Sequence, residues 1–162
     1  MRRFWLSLAL FGCAGTSGPA PRATNLPSSQ VLALDGRPTS LRAELAGAVS
    51  VIDLWATWCT ACEQERPKLE RLHAAYQGQG LRVIGLDVGE EPSVVAGYLA
   101  EHRVAYPVYL DPDFRMADAL GDKRLPTLLV VDRAGRVTHR SASLDQDTLN
   151  ELKAQLSAKP AP

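Results

Sequence analysis

Apolar and polar positions along the chain follow two alternating periods. The stretch "VLALDGRPTSL" sets an Asp35-Gly36 turn between short apolar pieces and predicts a small hairpin. Ser50 to Ala56 is a near-continuous apolar run, the pattern of a strand covered on both faces. After Cys59 the period lengthens: Cys62, Leu69, Leu72 and Tyr76 recur at helical spacing, and Gly78 and Gly80 close the segment. Leu81 to Val88 is strand-like again, and Pro92 suits the first turn of a helix whose apolar face is Val94, Val95, Tyr98 and Leu99. "YPVYLD" predicts a short strand and "DFRMADALG" a short helix ending at Gly121. "TLLVVD" predicts a strand, Arg133 to Gly135 a turn, and "RVTHRS" its hairpin partner. A last helix begins near Asp145 and buries Leu149, Leu152 and Leu156. This order predicts a three-layer α/β domain: a mixed central sheet with helices on both faces and an N-terminal β-hairpin extension. Strands joined through helices are expected to be parallel, and the closing hairpin antiparallel.

Composition narrows the picture. The 162 residues suffice for one domain with a real core. Net charge is zero, so nothing points to nucleic acid as a partner. No run of roughly 18 apolar residues exists to span a bilayer. Three cysteines are too few for a disulfide scaffold and read as a pair plus one.

The odd cysteine lies in "MRRFWLSLALFGCAG", where Arg2 and Arg3 precede an apolar core that ends in small residues. Residues 1–12 therefore read as an export signal. Leu10-Phe11-Gly12-Cys13 resembles a bacterial lipoprotein signal, which implies that Cys13 is lipidated. The alternative is cleavage nearby, for example after Ala20, leaving a soluble exported protein. Residues 13–29 are rich in Gly, Pro, Ser and Thr and read as a flexible tether, 30–158 as the folded domain, and 159–162 as a disordered tail.

The chemistry sits in "VIDLWATWCTACEQERP". Cys59 falls where a strand hands over to a helix, so free N–H groups and the positive end of the dipole favour its thiolate. Cys62 lies one turn on, facing the same side, and such a pair can close and reopen a disulfide: Cys59 attacks, Cys62 resolves. A zinc site would want four ligands, and no second cysteine pair or histidine pair exists; His73, His102 and His139 are scattered and read as solvated. A purely structural staple closing so short a loop would constrain the unfolded chain very little. Copper capture by the two thiols is the remaining metal reading.

Asp53 breaks the apolar run six residues before Cys59. Burial should raise its pKa towards neutrality, suiting it to move protons to and from Cys62. The alternative is that strand alternation merely points it into a polar, water-filled cavity.

The segment "DLWATWCTACEQERPKLERLHAAY" resembles the active-site region of the thioredoxin superfamily. With "VIGLDVGEEP", "YPVYLDPD" and "ALGDKRLPTLLVVDRAGRV", the stretch from Val31 to about Ala158 resembles its exported TlpA/ResA-like branch. The resemblance implies a thioredoxin-like fold and a membrane-anchored thiol–disulfide oxidoreductase. Many such proteins act as reductants in cytochrome c maturation or in metal-site assembly of oxidases. It matches Cys59 and Cys62 to the attacking and resolving cysteines, Trp58 to the aromatic beside the site, and Pro126 to the cis-proline. A cis bond would expose the backbone of Leu125, so Trp58, Thr60, Ala61, Leu125 and Pro126 are the expected substrate-contacting residues. Ala61 stands where relatives usually have proline, a position that influences thiolate pKa and potential.

These readings converge on a monomeric periplasmic or envelope oxidoreductase with no metal and no cofactor beyond its own dithiol. It would be held to the membrane by a lipid anchor, act on protein thiols and disulfides, and be recharged by a transmembrane thiol donor. The alternative function is a non-enzymatic copper-binding assembly factor using the same two cysteines.

Overall fold

The computed structural model describes residues 24–158; the expected export signal, Cys13, most of the expected tether and the tail lie outside the described residues. A hairpin of β1 (Gln30–Ala33) and β2 (Pro38–Ser40) turns at Asp35-Gly36, with Gly36 in the left-handed region, and is followed by the short helix α1 (Leu41–Glu44). Then come β3 (Val49–Trp55), α2 (Thr60–Tyr76), β4 (Leu81–Val88), α3 (Pro92–Glu101), β5 (Val108–Asp111), α4 (Arg115–Leu120), β6 (Thr127–Val131), β7 (Val137–Ser141) and α5 (Gln146–Ser157). The seven strands form one sheet in the order β2-β1-β5-β4-β3-β6-β7.

All seven residues of β3 are buried, as its near-continuous apolar run requires of a central strand. One sheet face packs Ile52, Leu54, Ile84 and Leu86 against Leu41, Met116 and Leu120, placing α1 and α4 on that side. On the other face Val49, Val51 and Val83 meet Leu69 and Leu72 of α2 and Leu152 of α5. Val95 of α3 joins Trp55, Val108 and Leu110 on that same side.

Three expectations are corrected. First, β6 runs antiparallel to β3, although α4 separates it from the parallel set of β3, β4 and β5. α4 has six residues, about 9 Å of helix, too short to carry the chain back along a five-residue strand of about 17 Å. Consequently β6 starts where β3 ends: Thr127 is opposite Leu54 and Val131 opposite Ser50. Second, the end of the tether is docked. Asn25 bridges Arg136, the Leu26 N–H donates to the Gly135 carbonyl, and Leu26 is buried in the core. One leucine among small and polar residues suffices to pin the segment, and composition averages it away. Third, His73 and His139 are half-buried; His73 meets the Tyr106 ring edge and His139 lies 3.2 Å from the Thr148 hydroxyl. His102 is exposed and stacks on Tyr98.

Asp145 caps α5, accepting from the Thr148 N–H at 2.9 Å and its hydroxyl at 2.8 Å. Those bonds hold its carboxyl down to about 2. Asp145→Ala is expected to cost about 1 kcal/mol at neutral pH. Because the folded pKa lies below the ordinary 3.8, the contribution is complete above that value and fades as pH falls towards about 2. Urea melts of the two proteins at pH 7 and pH 2.5 should therefore differ at the first and converge at the second.

Candidate active site

The strand β3 ends at Trp55, and Ala56 to Trp58 turn the chain into α2. Cys59 occupies the N-cap of that helix, and its sulfur accepts the Cys62 N–H at 3.2 Å. This satisfies one of the free donors at a helix start. Cys59 and Cys62 are joined by a disulfide with an S–S distance of 2.03 Å. Both are almost enclosed, at 6% and 3% exposure, while Trp58 beside them is 70% exposed. Thr60 and Ala61, between the cysteines, are likewise exposed. The site is thus a covered sulfur pair with an open aromatic rim.

Leu125 packs against the cluster that contains both cysteines. The Leu125–Pro126 peptide bond is cis. The reversed direction of β6 brings this pair to the sulfur end of the sheet, because Pro126 directly precedes the residue opposite Leu54.

Asp53, 3% exposed, lies on the β3 face that points towards α2. One carboxyl oxygen receives a long bond from the Tyr106 hydroxyl at 3.4 Å, and the other has no partner among the described residues. Burial pushes its pKa up to about 7, against the lowering effect of that hydroxyl. Asp53 and Cys62 line one narrow cleft, together with Trp55, Arg66, Tyr98 and Tyr106. On its wall Arg66 donates to the Tyr98 hydroxyl at 2.9 Å, and that hydroxyl donates to Glu63 at 3.0 Å. The arrangement offers a disulfide at a helix mouth that yields a sulfur nucleophile on reduction and, inside, a carboxyl group able to hold or release a proton near neutral pH.

Sequence reasoning did not assign several neighbours. Glu90 grips Thr57 twice, accepting from its backbone N–H at 2.5 Å and its hydroxyl at 2.7 Å. It thereby fixes the loop two residues before Cys59. Gly89, in the left-handed region, supports this turn; a β-carbon there would overlap the Phe114 ring. Asp87 is fully buried at the end of β4. Its signal was present: "VIDLW" and "IGLDV" both interrupt an apolar run with one aspartate, and the strand register sets Asp53 and Asp87 on the same face. Tyr106 and Tyr98 had no such signal. Among the described residues no group of three or more His, Cys, Asp or Glu side chains is arranged to hold a metal ion.

The Redoxin family profile matches residues 16–156. The chain is similar to the thiol-disulfide oxidoreductase ResA of Halalkalibacterium halodurans, 26% identical over 149 residues and covering 84% of both chains. It is also similar to ResA of Bacillus subtilis, 28% identical over 115 residues, covering 68% of this chain and 64% of that one. Among solved structures, a thioredoxin-family thiol:disulfide interchange protein from Chlorobium tepidum aligns with a TM-score of 0.68. It is 26% identical, over 85% of this chain and 99% of the other. A secreted disulfide oxidoreductase from Mycobacterium tuberculosis shares the fold at a TM-score of 0.62 and 21% identity, over 78% of this chain and 95% of that one.

Proposed function

The chain belongs to the Redoxin family and is a thioredoxin-like thiol–disulfide oxidoreductase of the ResA type, and from that premise we propose that it exchanges its Cys59–Cys62 dithiol with protein disulfides outside the cytoplasm. The observation that carries the reading is Cys59 at the mouth of α2 as acceptor of the Cys62 N–H, with Cys62 opening onto the cleft of Asp53. In the reduced protein the Cys59 thiolate attacks one sulfur of a substrate disulfide. A mixed disulfide forms and the other substrate sulfur leaves as thiolate. Asp53 takes the Cys62 proton, and the Cys62 sulfur attacks Cys59. The Cys59–Cys62 disulfide closes, the second substrate sulfur leaves, and the substrate has gained two electrons. The described oxidised form is the end of that sequence.

Trp58, Thr60, Ala61, Leu125 and Pro126 form the rim against which the substrate segment docks. The dithiol is the only redox group the cycle needs. Regeneration requires a second dithiol, which outside the cytoplasm is a transmembrane thiol donor. The basic-apolar-small order of residues 1–12 supports export, and Cys13 supports a lipid anchor. No helix among the described residues is long and apolar enough to cross a membrane. Substrates in cytochrome c maturation or oxidase metal-site assembly fit a ResA-type reductant.

Two measurements test the reading. Reduced protein should reduce insulin disulfides with turnover when a dithiol is supplied. Cys59 should also react with iodoacetamide as a thiolate well below the free-thiol pKa of about 8.5. One equivalent of copper retained with no turnover would replace it with the copper-assembly reading.

A further inference from the structure

We infer that Asp87 is the positioning residue behind the disulfide: its carboxyl group donates a hydrogen bond to Glu90, and Glu90 in turn holds Thr57 and the loop that presents Cys59. This rests on the reading of Cys59 as the reacting sulfur.

Asp87 lies in the interior of the sheet, opposite Trp55 on β3 and Leu110 on β5, and is 0% exposed. Among the described residues no donor reaches either of its oxygens. An ionised carboxylate there would be buried without compensation, which is costly. Glu90 stands three residues on, with both oxygens engaged by Thr57. Two carboxylates cannot bond to each other unless one carries a proton. Glu90 already accepts one N–H and one O–H from Thr57, so the proton of the pair is placed on Asp87. Burial first, and then Glu90, push the Asp87 carboxyl up to about 8.

The surrounding charges do not offset this. From β5, Asp111 adds a further negative charge, and its oxygens already cap Met116 and Ala117 at the start of α4. From β3, Asp53 lies on the same face two positions back. From α2, Glu63 and Arg66 are both engaged with the Tyr98 hydroxyl of α3. When Asp87 loses its proton, two like charges face each other behind the loop. The grip on Thr57 then loosens, and Cys59 loses its fixed place at the helix mouth.

The experiment reads Cys59 alkylation by iodoacetamide in the reduced full-length protein from pH 5 to 9.5. It compares the unchanged protein with Asp87→Asn, Glu90→Gln and the double variant. An amide at position 87 donates the same bond at every pH. The Asp87→Asn rate per thiolate should therefore match the unchanged protein near pH 6 and diverge by about threefold or more at pH 9. Beside Glu90→Gln the same change should have no further effect. Superimposed profiles for Asp87→Asn and the unchanged protein would overturn the inference, as would effects that simply add in the double variant. Failure of Asp87→Asn to fold would overturn it too, because the amide supplies the bond the proposal assigns. Alkylation needs no disulfide substrate, so it is read separately from insulin turnover. Absence of turnover with the divergence intact would reject the exchange reading and leave the role of Asp87 standing.

Discussion

Replacing Cys62 with serine is expected to stop catalysis and leave substrate covalently held on Cys59. The attacking sulfur is unchanged in Cys62→Ser, so the first exchange proceeds. The hydroxyl that replaces the second thiol cannot displace the substrate sulfur, and the mixed disulfide accumulates. Insulin turnover should fall to the uncatalysed background, a loss of roughly 10³-fold or more. Non-reducing gels should show a dithiothreitol-sensitive adduct one substrate larger. Cys59→Ser should lose turnover equally and give no adduct. Both sulfurs are nearly enclosed, so in the proposed cycle it is the helix end and not exposure that assigns the attack to Cys59. Adducts forming through Cys62 in the Cys59→Ser protein would reverse the two roles. Turnover surviving in either variant would end the proposed cycle.

The second large effect is a stability gain from removing a titratable group. Asp53 holds its proton up to about pH 7 in the folded protein, while in the unfolded chain it ionises around its ordinary 3.8. Between those values the native state binds a proton the unfolded chain has lost. Stability therefore falls as pH rises through that window and levels off above it. Asp53→Asn removes this loss. Three pH units correspond to at most about 4 kcal/mol, so a gain of about 2–4 kcal/mol at pH 8, vanishing near pH 4, is the expected result of denaturant melts. The same variant separates a proton carrier from a merely buried acid. If Asp53 accepts the Cys62 proton, the resolving step should slow by about 10²-fold at pH 7 and lose its inflection there. The deficit should shrink above pH 9, where Cys62 ionises unaided. Greater stability with an unchanged resolving step would leave Asp53 as a buried carboxyl without a role in the exchange.

Much of this architecture could be read in one dimension because it depends on local chemistry. The switch from the near-continuous apolar run of β3 to the helical spacing after Cys59 located the strand-to-helix handover. The aspartate inside that run announced a buried acid. Asp35-Gly36, Pro92, Gly121 and Asp145 marked the ends of elements through backbone freedom, a missing N–H or a cap, all properties of single residues. Glu90 was unreadable in the same way. A glutamate ahead of Pro92 is an ordinary helix-start acid until the fold brings Thr57 against it, thirty-three positions earlier. Asp87 gave the same signal as Asp53, but its meaning lay in Glu90 and Asp111, groups that only packing could supply. The pinning of Leu26 was equally remote from any local cue.

Sequence alone determined the order of strands and helices, the pair of sulfurs at a helix mouth and the carboxyl behind them. Each follows from side-chain period, spacing or charge within one turn or one strand. Tertiary structure decided the direction of β6, and with it the arrival of Leu125 against the cysteine cluster and of Pro126 at the same end of the sheet, as well as the hold of Glu90 on Thr57. Those depend on where a six-residue helix lets the chain re-enter the sheet and on contacts between positions far apart in sequence, information that no local pattern carries.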